Sequence, residues 1–559
     1  MKLVECVPNF SEGRDQAVID EISSQISQVE GATLLDVDPG PDTNRTVVTF
    51  VGTPEAVVEA AFRAIKRASE LIDMRNHKGA HPRQGATDVC PLVPIADISV
   101  EECIELSHKL AKKVGDELGI PIYLYEKSAT KPEWEQLSNI RIGEYEALEE
   151  KFKDEKWKPD YGPFKFNPQA GVTVIGVRDF LIAYNINLNT KDKSIAKDIG
   201  LTIRDTGRWK RDEDGKIERD EQGNKVRTPG TLNACKATGW YLPDFGLAQV
   251  TMNLIDYQTT GMHTAYEEVR RQAELRGVLV TGSEIVGLVP LKSLLDAGKF
   301  YLAKQGQTLG LNEQDILDMA IRSLGLSSLY EFKPEEKIIE YRVGAKAKGE
   351  LASLEVHQFV DEVASDSVAP GGGSVSALLN SIGAGLTSMV CNITYGHKKF
   401  PEVKPDMEKI GVEAQQIKDR AVALIDKDTE AFNLIIAARR NPKSTDEEKQ
   451  IREKAIEDAT KKAAEVPLET CKTGWEALKL IKQAADLINP NSISDAGVGC
   501  LCAYAGVEGA YLNVLINIQS IEDSEFVEKV KKQADQYLQE SKKFRDEILK
   551  MSYKIIQEN

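Results

Sequence analysis

"KPEEKIIEYRVGAKAKGELAS", residues 333–353, marks the place where the pattern of the sequence changes. Upstream of it, short β-rich runs such as "TLLDVD" (33–38), "RTVVTFVG" (45–52), "FLIAYNINL" (180–188) and "GVLVTG" (277–282) alternate with helical stretches such as 53–75. This alternation predicts an α/β or α+β architecture. Downstream of it, strand signals almost vanish and long helical periodicities predict a helical bundle. The chain is therefore predicted to be multidomain, with a sheet-containing region before an all-α region.

The sheet-containing region divides again near residue 178, where "GVTVIGVRDFLIAYNINL" (171–188) begins a new set of strands. We therefore predict two sheet subdomains, so that the chain comprises 1–177, 178–328, a linker at 329–349 and a helical domain at 350–559. The helical periodicities run over 351–365, 373–395, 403–439, 444–485, 494–519 and 522–557.

Residues 207–230 are very polar and contain two turn signals, Asp214-Gly215 and Gly223-Asn224. Such signals between short runs predict a hairpin excursion. We expect residues 212–228 to be solvent-exposed and to take no part in catalysis.

Composition limits the classes of protein that fit this chain. Its 559 residues suggest about three or four domains, and 41% hydrophobic with 28% charged residues is typical of a soluble globular protein. The net charge of −17 argues against general nucleic-acid binding. Neither a signal sequence nor an apolar run near the ~20 residues of a membrane span is seen. We expect a cytoplasmic protein that binds neither nucleic acid nor membrane.

Eight cysteines are spread over the chain without a CxxC pair, and only Cys500 and Cys502 form a CxC. This spacing indicates neither a disulfide framework nor a structural zinc site. Most of the cysteines are predicted to be buried thiols.

The stretch "RNHKGAHPRQGATDVC", residues 75–90, contains two histidines four residues apart, His77 and His81. Glycines and Pro82 preclude a regular helix across them, so they do not form the metal pair of a helix face. What remains is a polar loop before a strand, where a histidine could act as a general acid or base. From this loop alone His81 could instead cap a turn or bind a backbone carbonyl.

Both regions carry longer motifs. In the first region they are "LVECVPNFSEGRD" (3–15), "LLDVDPGPDTNRTVVTFVG" (34–52), "HKGAHPRQGATDVCPLVPI" (77–95) and "TGSEIVGLVPLKSLLDA" (281–297). In the helical region they are "SDSVAPGGGSVSALLNSIGAGL" (365–386), "IDKDTEAF" (425–432) and "GVEGAYLNVLINI" (506–518). Together these motifs resemble the formimidoyltransferase-cyclodeaminase family.

The resemblance implies two consecutive folate reactions of histidine degradation. The formimino group of N-formimino-L-glutamate would pass to N5 of tetrahydrofolate, and the product would then cyclise to 5,10-methenyl-tetrahydrofolate with loss of ammonia. It also implies that the co-substrate is tetrahydrofolate in its polyglutamate form and that no metal is required. The family forms homo-oligomers, so the resemblance further implies a ring-like octamer. The alternative is a folate-binding or scaffolding protein with one or both sites silent.

The resemblance also implies site residues. His81 matches the catalytic histidine of the transferase, and Asp38 matches a supporting acid, although Asp38 could also form an Asx turn before Pro39-Gly40. Folate binding falls on a segment that could also be a plain linker between subdomains, comprising Gly162, Pro163, Phe164, Lys165, Phe166, Asn167, Pro168, Gln169, Ala170 and Gly171.

Further polar groups in the motif loops are candidates for substrate binding. Asn9, Arg45 and Arg83 could hold substrate carboxylates, since arginine suits bidentate contact, or could have surface roles. In the helical region Gly371, Gly372 and Gly373 precede a helix predicted to begin near Ser374, whose free amides suit an anionic group. A loop and helix cap would have the same composition.

Asp428 interrupts the apolar stripe Ile417, Ala421, Leu424, Phe432 and Ile435 of a predicted helix. Desolvation there would raise its pKa and keep part of it protonated, and the resemblance implies that it donates a proton to ammonia. A buried ion pair is the alternative, and would lower the pKa instead. Asp426 lies off the stripe and is interpreted as a solvated neighbour.

Overall fold

The computed structural model describes residues 2–40, 44–79, 82–242, 245–344, 349–366 and 369–558. The chain forms two compact units, one of residues 1–294 with 324–346 and one of residues 295–323 with 347–559. Sheets occupy the first unit and long helices the second, which confirms the predicted fold class. The domain boundaries drawn from the sequence stay predictions.

A seven-stranded mixed sheet organises the first half of the first unit. The strand order is β1-β4-β2-β5-β7-β6 with β3 beside β4, and only the β5–β7 and β6–β7 pairs are parallel. The strands are β1 (Leu3–Cys6), β2 (Asn9–Phe10), β3 (Ala32–Gly40), β4 (Arg45–Gly52), β5 (Thr87–Ala96), β6 (Ile122–Glu126) and β7 (Thr173–Val177).

Three amphipathic helices cover one face of this sheet: α1 (Gln16–Ser27), α2 (Pro54–Leu71) and α3 (Val100–Leu118). Their starts follow local chemistry, since Asp15 caps α1, Pro54 opens α2 and a Ser99–Glu102 capping box opens α3. Their apolar stripes and the alternate residues of the strands form one core.

The opposite face of the sheet carries a second apolar cluster around Tyr123 and Val174. The irregular chain between β6 and β7 covers it, and Trp134 is its largest buried side chain. Two short helices, α4 (Leu137–Ile140) and α5 (Leu148–Lys151), lie in this stretch. The cluster therefore anchors the chain on either side of residues 141–147.

A second, antiparallel sheet completes the first unit, with strand order β11-β12-β8-β13. This confirms the prediction of two sheet subdomains. Its strands are β8 (Ile182–Leu188), β11 (Cys235–Leu242), β12 (Leu247–Leu254) and β13 (Val280–Val286), and its helices are α6 (Lys193–Ile203) and α7 (Met262–Glu274).

The polar excursion leaves this sheet as two small hairpins. Its base is the pairing of β9 (Arg208–Trp209) with β10 (Arg227–Thr228), and each turn is capped by an aspartate, Asp212 in one and Asp220 in the other. Most of residues 212–228 are exposed, as predicted, because every cap and pairing in the excursion is local.

The second unit is helical throughout the part that the structure describes. It contains most of α8 (Leu291–Lys304) and α9 (Glu313–Leu324), while α10 (Pro334–Lys337) and α11 (Ile339–Arg342) belong to the first unit. The remaining helices agree with the predicted periodicities to within a few residues: α12 (Val356–Val363), α13 (Gly372–Gly396), α14 (Lys404–Arg439), α15 (Asp446–Ala485), α16 (Ile493–Ile518) and α17 (Ser524–Glu558).

Two of these helices are unusually apolar. By length and composition alone, α13 and a segment that includes α16 could each cross a membrane. Within the bundle, however, 61% of the apolar window of the first is buried and 39% of that of the second. The second of these helices thus leaves a large apolar surface uncovered by this chain.

The excursion can be removed without loss of the fold. Lys210 N donates to Val226 O at 2.9 Å, so an Asn-Gly turn replacing residues 211–225 would close the same ladder. A shorter loop costs less closure entropy, so we expect urea unfolding to show equal stability or a gain of about 1 kcal/mol. A Gly/Ser segment of the original length is the control. A loss above about 2 kcal/mol in the shortened chain alone would show that the excursion supports the fold.

Candidate functional site

Three residues predicted from the sequence meet on one face of the seven-stranded sheet. Asn9 and Asp38 both stand opposite Val47 from neighbouring strands, and Arg45 lies two residues from Val47. Side chains in such register share a face. The Arg45 guanidinium donates to Oδ1 of Asn9, so two of these candidates are in direct contact.

Asp38 lies inside β3, which continues through Gly40 and pairs with β4. The alternative interpretation of Asp38 as an Asx-turn residue is therefore wrong. Its side chain is exposed on the sheet edge. Its role beside His81 stays a prediction, since His81 lies outside the described residues.

His77 is fixed by the protein on both ring nitrogens. Its Nε2 lies 2.9 Å from the carbonyl oxygen of Asn44, and its Nδ1 accepts from Nε of Arg83 at 3.2 Å. Because Nδ1 accepts, the proton of the neutral ring is on Nε2, which donates to Asn44. Asn44 also donates to the carbonyl of Lys78 at 3.1 Å. These bonds hold the start of the loop against β4.

Arg83 is almost fully engaged by protein acceptors. Its guanidinium makes five hydrogen bonds, to Glu144, to both carboxylate oxygens of Glu146 and to the ring and carbonyl of His77. Hydrogen bonds to Glu146 raise the pKa of Arg83. Its side chain is only 10% exposed, which excludes the surface role. The contacts favour a role in holding the loop, and substrate binding by Arg83 stays a prediction.

Sequence reasoning missed two charged residues at the same place, Asp88 and Arg141. Asn9 pairs with Val89 and Phe10 with Thr87, so Asp88 is the extra residue of a β-bulge in β5. Its carboxylate accepts from the Gln84 amide at 2.9 Å and forms an ion pair with Arg141. The only signal in the sequence is an aspartate at the start of an otherwise apolar strand.

The position of Arg141 is fixed by the carbonyl that precedes it. The Ile140 oxygen accepts from Nε2 of Gln84 at 2.9 Å and from Nζ of Lys151 at 2.8 Å. Lys151 is 8% exposed, and its Nζ lies 4.2 Å from the ring centroid of Trp157. Burial lowers the pKa of Lys151 to about 8.

The predicted folate segment, residues 162–171, lies beside these groups. Ala86 N donates to Ala170 O and Met74 N donates to Gln169 O, both at 2.9 Å. Gly85 and Gly171 form an antiparallel bridge. Because the segment connects β6 to β7 of one sheet, the alternative of a linker between subdomains is wrong.

Two aromatic side chains of this segment contact aromatic rings in the stretch between β6 and the segment. Phe166 lies with its ring centroid 5.7 Å from that of Tyr145, and Phe164 lies 5.6 Å from Phe152. Tyr145 also donates from its hydroxyl to Pro168 O. The segment, residues 82–88 and residues 140–146 thus form one contiguous region at one end of the sheet. Individual folate contacts remain predictions.

The second candidate site lies in the helical unit, where α13 begins against α14. Ser374 Oγ lies 3.5 Å from Oδ2 of Asp428, and its hydroxyl donates to the Ile425 carbonyl at 2.8 Å. A Cβ at Gly373 would overlap the Asp428 carboxylate. Only glycine therefore allows the carboxylate to approach this helix end.

Burial raises the pKa of Asp428, although the bonds from Ser374 act in the opposite direction. No ion pair with a lysine or arginine is found for it within the described residues, which disfavours the buried-pair alternative. The predicted stripe is buried at Ile417, Ala421 and Leu424, but Phe432 is 40% exposed. Asp428 therefore lies where α14 emerges from the core, not in its middle.

The interpretation of Asp426 as a solvated neighbour is wrong. Its carboxylate accepts from the backbone amides of Leu351 at 2.8 Å and Ala352 at 3.1 Å. It therefore fixes the chain that leads into α12, a role that requires a contact about 75 residues away in sequence.

The glycine-rich start of α13 contributes backbone to the site. The helix begins at Gly372 with Gly371 as its N-cap, two residues earlier than predicted. Gly372 faces the side-chain amide of Asn513, whose Nδ2 would lie 3.4 Å from a Cβ there. Asn513 was not predicted as a site residue, although it lies in one of the motifs quoted above. The site thus combines a carboxylate, a serine, helix-start amides and an amide side chain.

Comparisons with known proteins cover both sites. The model described as "Formiminotransferase domain, N-terminal subdomain" matches residues 3–178, "Formiminotransferase domain" matches 183–344 and "Formiminotransferase-cyclodeaminase" matches 355–536.

Curated relatives match the whole chain or parts of it. Formimidoyltransferase-cyclodeaminase of Rattus norvegicus is 44% identical over 546 residues, which is 97% of this chain and 97% of that protein. Glutamate formimidoyltransferase of Streptococcus pyogenes serotype M1 is 44% identical over 301 residues, 54% of this chain and 93% of that protein. Methenyltetrahydrofolate cyclohydrolase of Methylorubrum extorquens is 39% identical over 186 residues, 33% of this chain and 89% of that protein.

The lowered pKa of Lys151 predicts a pH-dependent stability. With a folded pKa of about 8 against about 10.4 when unfolded, the unfolded state binds more protons between these values. The free energy of unfolding of the wild type should therefore rise with pH relative to Lys151→Met, by up to about 1.4 kcal/mol per pH unit. Urea unfolding between pH 7 and 10, followed by tryptophan fluorescence, measures this. Lys153→Met, at an exposed position, is the control, and parallel curves for Lys151→Met would contradict the prediction.

Proposed function

Because this chain belongs to the formimidoyltransferase-cyclodeaminase family, we propose that it catalyses two consecutive folate reactions. The first transfers the formimino group of N-formimino-L-glutamate to tetrahydrofolate, and the second cyclises 5-formimino-tetrahydrofolate to 5,10-methenyl-tetrahydrofolate with release of ammonia. Both reactions belong to histidine degradation. The observation that carries the proposal is the 97% coverage of both chains in the match to the bifunctional relative.

The transferase reaction needs a group that moves one proton. When N5 of tetrahydrofolate attacks the amidine carbon, a tetrahedral intermediate forms, and the glutamate nitrogen leaves readily only after protonation. We assign this transfer to His81, which would take the N5 proton and return it to the leaving amine. Asp38 would orient the imidazole or the amidine. Support comes from Asn9 and Arg45, which share the face of Asp38.

Tetrahydrofolate is the co-substrate of the first step and its formimino derivative is the substrate of the second, and we propose that the folate is used as a polyglutamate. The pterin and benzoyl rings would lie along residues 162–171, where Phe164 and Phe166 offer aromatic faces. Hydrogen bonds from the backbone of Met74 and Ala86 hold this segment in place, so the ligand would meet a preformed surface.

The cyclodeaminase reaction needs an acid. N10 attacks the formimino carbon and loses its proton, and the nitrogen that departs as ammonia must gain one. We assign the donor to Asp428, because burial raises its pKa and so favours the protonated carboxyl that can give up a proton. Gly371, Gly372, Gly373 and Ser374 would contact the substrate next to this carboxyl.

A folate-binding or scaffolding protein with silent sites is the alternative. A steady-state assay with N-formimino-L-glutamate and tetrahydrofolate, followed by the absorbance of methenyl-tetrahydrofolate, distinguishes the two. Formation of the product supports the enzyme, whereas tight folate binding without product supports the alternative.

Hydrolysis of methenyl-tetrahydrofolate is a second candidate activity, because the helical unit is also similar to a methenyltetrahydrofolate cyclohydrolase. Water could attack the carbon from which ammonia departs, and Asp428 could exchange the proton in either reaction. Loss of methenyl absorbance on incubation of the chain with methenyl-tetrahydrofolate alone would reveal hydrolysis. A stable signal would restrict the helical unit to the cyclodeaminase reaction.

We also propose a cytoplasmic homo-oligomer, with eight chains as in the ring implied by the sequence resemblance. Seven of the eight cysteines are buried free thiols, as predicted, and the eighth is half-buried, which suits a reducing compartment. Self-association is supported by exposed apolar residues on two packed helices, α13 and α16. They are Ile382, Met389, Ile393, Val498, Leu501, Leu512 and Ile516.

The assignments of His81 and Asp428 predict that the two activities separate. His81→Ala should lower formimino transfer by about 10²–10⁴-fold while 5-formimino-tetrahydrofolate supplied from outside is still cyclised. Asp428→Asn should show the opposite pattern and accumulate 5-formimino-tetrahydrofolate. His357→Ala and Asp419→Asn, both at exposed positions, are the controls. Transfer near the wild-type rate in His81→Ala, or normal cyclisation in Asp428→Asn, would remove that residue from the mechanism.

The exposed apolar face predicts the effect of charge on assembly. The double substitution Leu501→Glu and Leu512→Glu should reduce the mass of the assembly measured by light scattering, because it buries carboxylates without partners at the contact. Ile451→Glu, which is exposed to a similar extent on α15, is the matched control. An unchanged mass in the double variant would place the contact elsewhere.

A further inference from the structure

The buried ion pair at the β5 bulge uses only part of the hydrogen-bonding capacity of its arginine, Arg141. Arg141 donates from Nη2 to the Asp88 carboxylate, and this is the one hydrogen bond of its guanidinium within the described residues. Its Nε is buried without an acceptor. A guanidinium has five N–H donors, so most of its capacity is not used by the protein.

The contrast with Arg83 decides which arginine of this region can bind an anion. The Arg83 guanidinium already makes five hydrogen bonds to protein acceptors. Two acidic partners, Glu144 and Glu146, neutralise it. Arg141 has a single acidic partner and is 15% exposed. Its guanidinium therefore keeps N–H donors for a ligand and can be reached from solvent.

The position of Arg141 is fixed by contacts of its neighbours, Asp88 and the Ile140 carbonyl, which do not use its own free N–H donors. Gln84 contributes twice, because its backbone amide orients Asp88 and its side chain holds the Ile140 carbonyl. Lys151 donates to the same carbonyl. A guanidinium fixed in this way loses little freedom when a ligand binds. Such preorganisation is expected of a binding group more than of a stabilising surface pair.

The surroundings place Arg141 beside the proposed transferase site. Tyr145, four residues later, donates its backbone amide to Arg83 O and its hydroxyl to Pro168 O. Burial lowers the pKa of the nearby Arg45, and the charge of Arg141 acts in the same direction. Two cationic side chains therefore approach each other around Asp88, next to the predicted folate segment.

We infer that Arg141 binds a carboxylate of a glutamate and sets the specificity of the transferase for an acidic substrate. This inference rests on the proposed function, whose donor and co-substrate both carry glutamate. The planar fork of arginine matches a carboxylate with two parallel N–H donors. Asp88 is the positioning residue, since it orients the guanidinium by occupying one of its N–H groups.

Binding measured by isothermal titration calorimetry on the full chain tests the inference without turnover. The probes are N-formimino-L-glutamate, its side-chain amide N-formimino-L-glutamine and its α-amide N-formimino-L-isoglutamine. The wild type should prefer the acid over one of the amides. Arg141→Gln should weaken binding of the acid by roughly 10- to 100-fold and that amide far less, so that the preference collapses.

Arg141→Lys keeps the charge and can still pair with Asp88, so it covers the case in which Arg141→Gln fails to fold. It should lose part of the preference, because an ammonium group lacks the fork. Arg63→Gln is the matched control, since Arg63 lies on α2, pairs with an acidic residue, Glu59, and is 43% exposed. It should leave the preference unchanged.

Two sources of the carboxylate are distinguished by a second pair of probes. Tetrahydrofolate and tetrahydropteroate differ only in the glutamate, so a preference that collapses for this pair assigns Arg141 to the folate. No preference in the wild type, or equal preferences in the wild type and both Arg141 variants, overturns the inference. An Arg141-dependent preference without formimino transfer would instead defeat the proposed function and leave the inference standing.

Discussion

The buried carboxylate of Asp88 is the contact on which the first site depends. It lies at 1% exposure in a strand whose other residues are mostly apolar, where an unpaired charge would be very costly. The bulge in β5 turns it towards Arg141 and the Gln84 amide. These partners come from the loop before β5 and from the chain after α4. Satisfying one buried charge therefore fixes the relative positions of three segments.

The two units treat a buried carboxylate in opposite ways. Asp88 has a guanidinium partner and also accepts from the Gln84 amide, so that it is a fixed anchor. Asp428 has only Ser374 as a hydrogen-bond partner among the described residues, and burial raises its pKa. An anchor must keep its charge, whereas a proton donor must be able to release a proton. The environments thus suit the different roles proposed for two chemically identical side chains.

The fold could be predicted from the sequence because its elements are long and periodic. The stretch 403–439 was predicted as a helix, and α14 covers Lys404–Arg439. Shorter elements were less predictable: "GVLVTG" (277–282) indicated a strand, but β13 runs from Val280 to Val286. Gly277 has a φ of 72°, so the chain is still turning where the hydrophobic pattern begins.

The sequence predicts site residues only where a motif or a periodicity marks them. Motifs mark Asn9, Asp38 and Arg45, and the apolar stripe of α14 marks Asp428 as well. Arg141 was missed because it lies in an irregular stretch with no period, and Asp88 because a one-residue bulge leaves no trace in composition. Asp426 was misinterpreted because its partners, the amides of Leu351 and Ala352, are brought to it by tertiary structure alone.

Both sites are built where two segments approach more closely than a side chain allows. A Cβ at Gly85 would collide with the backbone of residues 170–172, and one at Gly373 would collide with Asp428. In the first case the loop and the folate segment are joined by backbone hydrogen bonds from Ala86 to Ala170 and from Met74 to Gln169. The position of the segment therefore depends on its backbone as well as on its side chains. The constraint on sequence falls on the glycines, because they alone permit the approach.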